Sequence, residues 1–205
     1  MINNVPTYVS LKANIINEND NEELIVGVIN IDAQIKRKQE YESNLYVARM
    51  QADIDALTGI KNKHAYIDFE EELDRKIEEK ENVEFAIIIC DVNGLKVVND
   101  TSGHVAGDEY IRRTCGLICD VFKHSPVFRV GGDEFVVVAQ GSDYENVEAL
   151  TRKIRECNIW NDQNNELILA CGYAKYNKEK NVSLVFSRAD HEMYKNKREI
   201  KDDVR

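Results

Sequence analysis

The sequence predicts an α+β fold: a mainly antiparallel central sheet flanked by helices, preceded by a β-hairpin and a long helix. Three features carry this expectation. Residues 85–92, "FAIIICDV", form a continuous apolar run bounded by acids, which marks a strand buried on both faces. "PVFRVGGDEFVVVA" sets two β-branched and aromatic runs around a glycine pair, the pattern of a tight hairpin whose glycines supply positive φ. Amphipathic helical stretches surround these strands in an order that mixes helix and strand, which argues against a doubly wound parallel sheet.

From the N-terminus, residues 7–16 and 24–31 read as strands, with the polar run "NENDNE" as turn and loop between them. Two strands cannot bury a core alone, so this hairpin needs a partner: further sequence, the other domain or a second chain. "DAQIKRKQEYESNLYVARMQADI" follows without Pro or Gly and predicts one long helix. Ile31, Ile35, Tyr41, Leu45, Ala48 and Ala52 recur at three or four residues except across Lys38, so a connecting helix and a coiled-coil dimer seam both stand as readings.

"DALTG" reads as a stop with Gly59 as helix terminator, and the next helix carries Ala65, Phe69, Leu73 and Ile77 on one face. After the buried strand come a loop with Gly94, a helix around "GDEYIRRTCGLICDVF", the glycine hairpin and a helix near 144–157. A strand around "ELILACGYAKY" and a final helix "LVFSRADHEMYKNKREIK" complete the order.

The 205 residues suffice for one good-sized domain with an appendage, and 43% hydrophobic with 31% charged residues supports a real core. A net charge of −10 disfavours non-specific binding to nucleic acid or an anionic membrane, so any anionic ligand must be held locally. The cysteines at 90, 115, 119, 157 and 171 are odd in number and lack zinc-site spacing, so they read as core residues of a reducing compartment. No apolar run approaches a membrane span and "MINNVPTYVS" is not a signal peptide, which predicts a cytoplasmic chain with no membrane partner.

The acids raise the functional question. Asp91 ends the buried strand, and if the glycine hairpin pairs beside it, Asp91, Asp133 and Glu134 converge. Two carboxylates about 4 Å apart repel by about 4 kcal/mol at an effective dielectric near 20, a cost best explained by a cation among them. Hard oxygen ligands without His or Cys favour Mg²⁺ shared with a substrate phosphate, as in an in-line phosphoryl transfer. In "DVNGLKVVNDTSGHVAGDE", Gly94 admits phosphates to the backbone, Lys96 offers charge, and Asn99 with Asp108 matches the donor and acceptor edges of a base, guanine above all. The plainer reading also stands: Asp133 and Glu134 as solvated turn residues, Asn99–Asp100 and Ser102–Gly103 as turn chemistry, Asp108 as a first-turn helix acid.

From Asp55 to Asp202 the chain resembles the GGDEF family of diguanylate cyclases, with the signature at Gly131 to Phe135. "DALTGIKNKHAY" resembles the family's Asp-x-Leu-Thr-Gly-Leu-x-Asn opening, and "DVNGLKVVNDTSGHVAGD" its metal and base loop. "CGYA" resembles its late strand and "RADHEMYKNK" its final helix. The resemblance implies a nucleotidyl-cyclase or polymerase-palm-like sheet, Mg²⁺ (or Mn²⁺) held by Asp91, Asp133 and the Val92 carbonyl, and Asp133 with Glu134 as catalytic acids. It implies guanine reading by Asn99 and Asp108, phosphate binding by Gly94, Leu95, Lys96, Lys197 and Lys201, and condensation of two GTP into cyclic di-GMP by a homodimer. The group that takes the proton from the 3′-hydroxyl stays open among Glu134, Asp133 and a metal-bound water.

Three positions depart from the family. Asn93 replaces the second acid of its Asp-x-Asp loop; Ile200 and Lys201 stand where Gly and Arg are common; Phe122 and Ser125 occupy the Arg-x-x-Asp product-inhibition positions, so no such site is expected. The first 31 residues resemble the last two strands of a PAS sensor domain, residues 32–54 its signalling helix, and 55–202 form the cyclase domain. A non-catalytic GTP-binding or product-sensing module acting through protein contacts is the alternative, as is a purely structural signalling module.

Overall fold

The computed structural model describes residues 7–18, 21–163 and 168–203, with side chains described for 7–15, 24–44, 52–157 and 168–200. The chain divides into two compact units at the Ala52–Asp53 junction.

In the first unit, β1 (Val9–Glu18) and β2 (Asn21–Asn30) pair antiparallel from Val9↔Asn30 to Glu18↔Asn21. The strands extend further into the polar run than its turn-forming composition predicts, and residues 19–20 between them lie outside the described residues. Alternation puts Val9, Leu11, Ala13 and Ile15 on one face with Leu24, Val26 and Val28, and these larger side chains are exposed, Leu11 at 65% and Ile15 at 66%. Helix α1 (Asp32–Ala52) starts where the Asn30 side chain accepts the Asp32 N–H and Asp32 in turn accepts the Tyr8 N–H.

The helix ends at Ala52, ahead of "DALTG", so Gly59 does not terminate it. Gly59 closes a separate turn at φ +74°, with its N–H on the Asp55 carbonyl at 2.8 Å.

The second unit runs β3 (Lys61–Asn62), α2 (Lys63–Glu78), β4 (Ala86–Val92), α3 (Leu95–Ser102), α4 (His104–Val121), β5 (Val127–Arg129), β6 (Glu134–Ala139), α5 (Gly141–Glu145), α6 (Val147–Gln163), β7 (Leu169–Lys175) and α7 (Val182–Asp203). Its five-stranded sheet has the order β3-β5-β6-β4-β7, and every pair but β3–β5 is antiparallel. The α+β expectation holds. Ile88, Cys90 and Val92 join Phe135 and Val137 under α4 and α6, while Ile87 and Ile89 join Val136 and Val138 under α2 and α7. Strand β4 is therefore buried on both faces along its whole length, as its unbroken apolar run requires.

Helix α7 packs tightly on β7 because position 172 is glycine: a Cβ there would lie 2.0 Å from the Met193 backbone nitrogen. The outer edge of β7 is closed by side chains, the Cys171 N–H donating to Asn196 Oδ1 at 3.0 Å and the Cys171 carbonyl accepting from Arg155 at 3.0 Å. The buried thiols of Cys90 and Cys171 face each other across β4 and β7 at 3.4 Å and are free.

Two local expectations are corrected. The segment after Gly94 is helix α3, closed by Gly103 at φ +84°, so Asn99 and Asp100 are helical, not turn residues. Neither Gly131 nor Gly132 has positive φ. Gly131 instead lies close under Glu134: a Cβ would come 2.8 Å from Glu134 Oε2 and 3.3 Å from its Cβ, so the exposed Glu134 side chain would have to shift.

Candidate active site

Strands β4 and β6 bring the acids to one end of the sheet. Asp91 and Glu134 are direct cross-strand partners, and the alternation of both strands puts their side chains on the α7 face. Like charges opposite each other in this way destabilise a sheet unless a cation intervenes. Asp133 sits at the hairpin tip, its carbonyl accepting the Val92 N–H at 2.9 Å. The three acids are neighbours but not a closed cage. Among the described residues, the trio with ligand atoms within 4.8 Å of one another is Asp53, His64 and Asp68, a half-exposed to exposed group that the sequence reading missed; His64 and Asp68 are i,i+4 on α2.

Asp91 is 6% exposed, and its Oδ1 accepts from Lys197 Nζ at 2.5 Å across 106 residues of sequence. Asn196, fixed on β7 beside it, holds this turn of α7 so that Lys197 reaches the carboxylate. The fold thus presents Asp91 to a cation, here an ammonium. With the Val92 carbonyl and Asp133, the donors are all hard oxygens, a set that fits Mg²⁺.

The loop after β4 turns at Gly94, φ +78°, which caps the N-terminus of α3. Leu95 packs its side chain against the core, leaving its main chain as the part a ligand would meet, while Lys96 is exposed. Asn99 is half-buried on α3 and its carboxamide lies against Gly107 of α4, the residue before exposed Asp108; a Cβ on Gly107 would be 1.9 Å from Asn99 Oδ1. Asn93, in place of the second acid, has a buried Nδ2 without a hydrogen-bond partner. The side chain of Lys201 lies outside the described residues.

A further support went unseen in the sequence. Asp55 of "DALTG" accepts from Thr58 N–H at 2.9 Å, Thr58 Oγ1 at 2.6 Å and Arg129 Nη1 at 3.0 Å, while Arg129 Nη2 donates to the Gly132 carbonyl at 2.7 Å. The opening motif is thereby tied to the glycine hairpin. Burial pushes the Asp55 carboxyl up, but the Thr58 and Arg129 hydrogen bonds outweigh it and hold the group below its usual range.

The family model described as "Diguanylate cyclase, GGDEF domain" matches residues 52–203, and the chain belongs to that family. It is similar to diguanylate cyclase DgcZ of Escherichia coli (strain K12), 24% identical over 161 residues, 75% of this chain and 53% of that protein. A diguanylate cyclase of Vibrio cholerae serotype O1 is 27% identical over 180 residues, 85% of this chain and 54% of that one. The chain thus spans about half the length of these curated relatives. Among solved structures, the coiled coil and GGDEF domain of DgcB from Caulobacter crescentus, in complex with c-di-GMP, superposes with a TM-score of 0.63 at 25% identity, covering 81% of this chain and 90% of that one. No helix among the described residues is long and apolar enough to cross a membrane.

Proposed function

We propose that this domain is a diguanylate cyclase: it joins two GTP molecules into cyclic di-GMP, releases two pyrophosphates, requires Mg²⁺ and acts as a homodimer in the cytoplasm. The observation that carries the reading is the cross-strand pair Asp91–Glu134, with Asp133 at the adjoining hairpin tip and the Lys197 ammonium already on Asp91.

Asp91, Asp133 and the Val92 carbonyl would hold the metal, which supplies charge neutralisation on the reacting phosphate when bound. The N–H groups of Gly94 and Leu95 at the start of α3 bind phosphate oxygens through their orphan donors and the helix dipole, with Lys96 adding charge. Lys197 leaves Asp91 for a phosphate as nucleotide enters, and Lys201, four residues further along the sequence, serves as a second phosphate ligand. Asn99 and Asp108 orient the guanine. The 3′-oxygen of one GTP attacks the α-phosphorus of the other, the bond to pyrophosphate breaks, and the second ester forms the same way in reverse register. Each domain binds one GTP, so the second nucleophile arrives with the second domain.

Phe122 is buried in the core and Ser125 is engaged by Asp143 at 2.8 Å, which supports the expected lack of product inhibition through those positions. The exposed apolar face of the β1–β2 hairpin supports reading residues 1–31 as part of a PAS-like sensor module, with α1 as its signalling helix.

Purified protein with GTP and Mg²⁺ should yield cyclic di-GMP, and Asp133→Ala should yield none while melting as the parent does. GTP binding without product in the parent would favour the non-catalytic module. An active Asp133→Ala variant would break the assignment of the acids.

A further inference from the structure

Helix α4 carries one side chain that joins the base-reading and phosphate-binding halves of the site without belonging to either. The Tyr110 hydroxyl donates to the Asn93 carbonyl at 3.1 Å and accepts the Ile168 N–H at 3.2 Å. Asn93 N–H donates to the Ile168 carbonyl at 2.9 Å, closing a ring of three hydrogen bonds among Tyr110, Asn93 and Ile168. We propose that Tyr110 is a positioning residue for the loop between β4 and α3, setting the peptide planes that present the Val92 carbonyl and the Gly94 N–H to a phosphate-bearing ligand.

A trans peptide is planar, so its C=O and N–H point in opposite directions. The Asn93 carbonyl shares a plane with the Gly94 N–H; holding that oxygen on Tyr110 aims the N–H away from α4. The Asn93 N–H shares a plane with the Val92 carbonyl, and Ile168, itself pinned by Tyr110, fixes that plane too. Gly94 at φ +78° offers little resistance of its own, because glycine is permissive there. The Val92 N–H on the Asp133 carbonyl and the packing of Leu95 anchor the loop on either side, and the staple holds the two peptide planes between them.

Tyr110 is well placed for this task. Its ring packs against the core, and its carbonyl accepts from Thr114 Oγ1 at 2.9 Å. Burial pushes the phenol up, so the hydroxyl keeps the proton it donates. Gly107, against Asn99, and Asp108 lie on the same stretch of helix, so α4 carries both the guanine contacts and the staple on the phosphate loop.

The proposal rests on the GTP reading above, and its test separates the two. Tyr110→Phe removes one oxygen and keeps the ring. Hydrogen exchange of the nucleotide-free protein should show the Ile168 amide exchanging about tenfold faster in the variant. Titrations followed by NMR should show GTP with Mg²⁺ binding about tenfold more weakly, while guanosine, which has the base and no phosphate, binds as before. Unchanged GTP affinity, or an equal loss for guanosine, would overturn the proposal. If the parent binds neither ligand, the GTP reading fails, and the Ile168 amide alone decides: unchanged protection in Tyr110→Phe overturns the staple.

Discussion

Gly107→Ala should separate stability from function. In a helix interior, alanine is favoured over glycine by about 1 kcal/mol, and the backbone at 107 has no positive φ to forbid it. The added methyl would, however, sit 1.9 Å from Asn99 Oδ1 and 2.9 Å from its Cγ, where ordinary contact needs about 3.5 Å. Asn99 must therefore swing away by about 1.5 Å, which its half-buried side chain can do at small cost to the fold. On the proposed role of Asn99 in orienting the guanine, that movement removes its hydrogen bonds to the base. Losing one or two bonds at about 0.5–1.5 kcal/mol each predicts GTP binding weaker by about 2- to 150-fold. The assays are calorimetric titration with GTP and ATP beside a thermal melt. GTP affinity and preference over ATP should fall while the melting temperature holds or rises. Parent-level GTP affinity in Gly107→Ala would refute the claim that Asn99 reads the base from this position.

Other consequences are more structural. Asp55→Ala leaves the 14%-exposed Arg129 without its carboxylate partner and should cost about 2–4 kcal/mol in chemical denaturation. Because the Asp55 carboxyl is depressed in the folded state, its contribution is present above the unfolded carboxyl range near pH 4 and is lost as pH falls through the folded value, so the variant should approach the parent in acid. Gly172→Ala drives a methyl into the α7 backbone at 2.0 Å, which cannot yield as a side chain would; the loss should reach about 3 kcal/mol or more, read as a lower midpoint in urea. The hydrogen bond from Cys115 lowers the half-buried Cys119 thiol to about 7, so iodoacetamide near neutral pH should label Cys119 before the buried Cys90 and Cys171, as peptide mass mapping would check.

The sequence made β4 legible because a six-residue apolar run, Phe85–Cys90, bounded by Glu84 and Asp91 has few other homes, and the hairpin legible because its strands flank a glycine pair. Once β6 is seen to pair with β4, alternation puts Asp91 and Glu134 on one face, and the observed register makes them direct partners. Helix α3 was hidden because Asn99, Asp100, Thr101 and Ser102 are poor helix formers in an element of eight residues; Gly94 and Gly103 at its ends, with the packing of Leu95, hold it. The glycine pair misled in its reason: Gly131 makes room for Glu134 and does not supply a left-handed turn. Contacts such as Arg129–Asp55, 74 residues apart, and Tyr110–Ile168, 58 apart, join motifs whose partners no local pattern names. Lys197 came from family resemblance, and its pairing with Asp91 needed the packing of α7 on β7.

In the proposed mechanism two of these domains, each holding one GTP, make the product together. The most direct test is the initial rate of cyclic di-GMP formation at saturating GTP and Mg²⁺ as protein concentration is varied over the range where monomer gives way to dimer. The rate should rise with the square of concentration at the dilute end and become proportional to it once dimers dominate. A rate strictly proportional to protein where the chain is monomeric would contradict that mechanism.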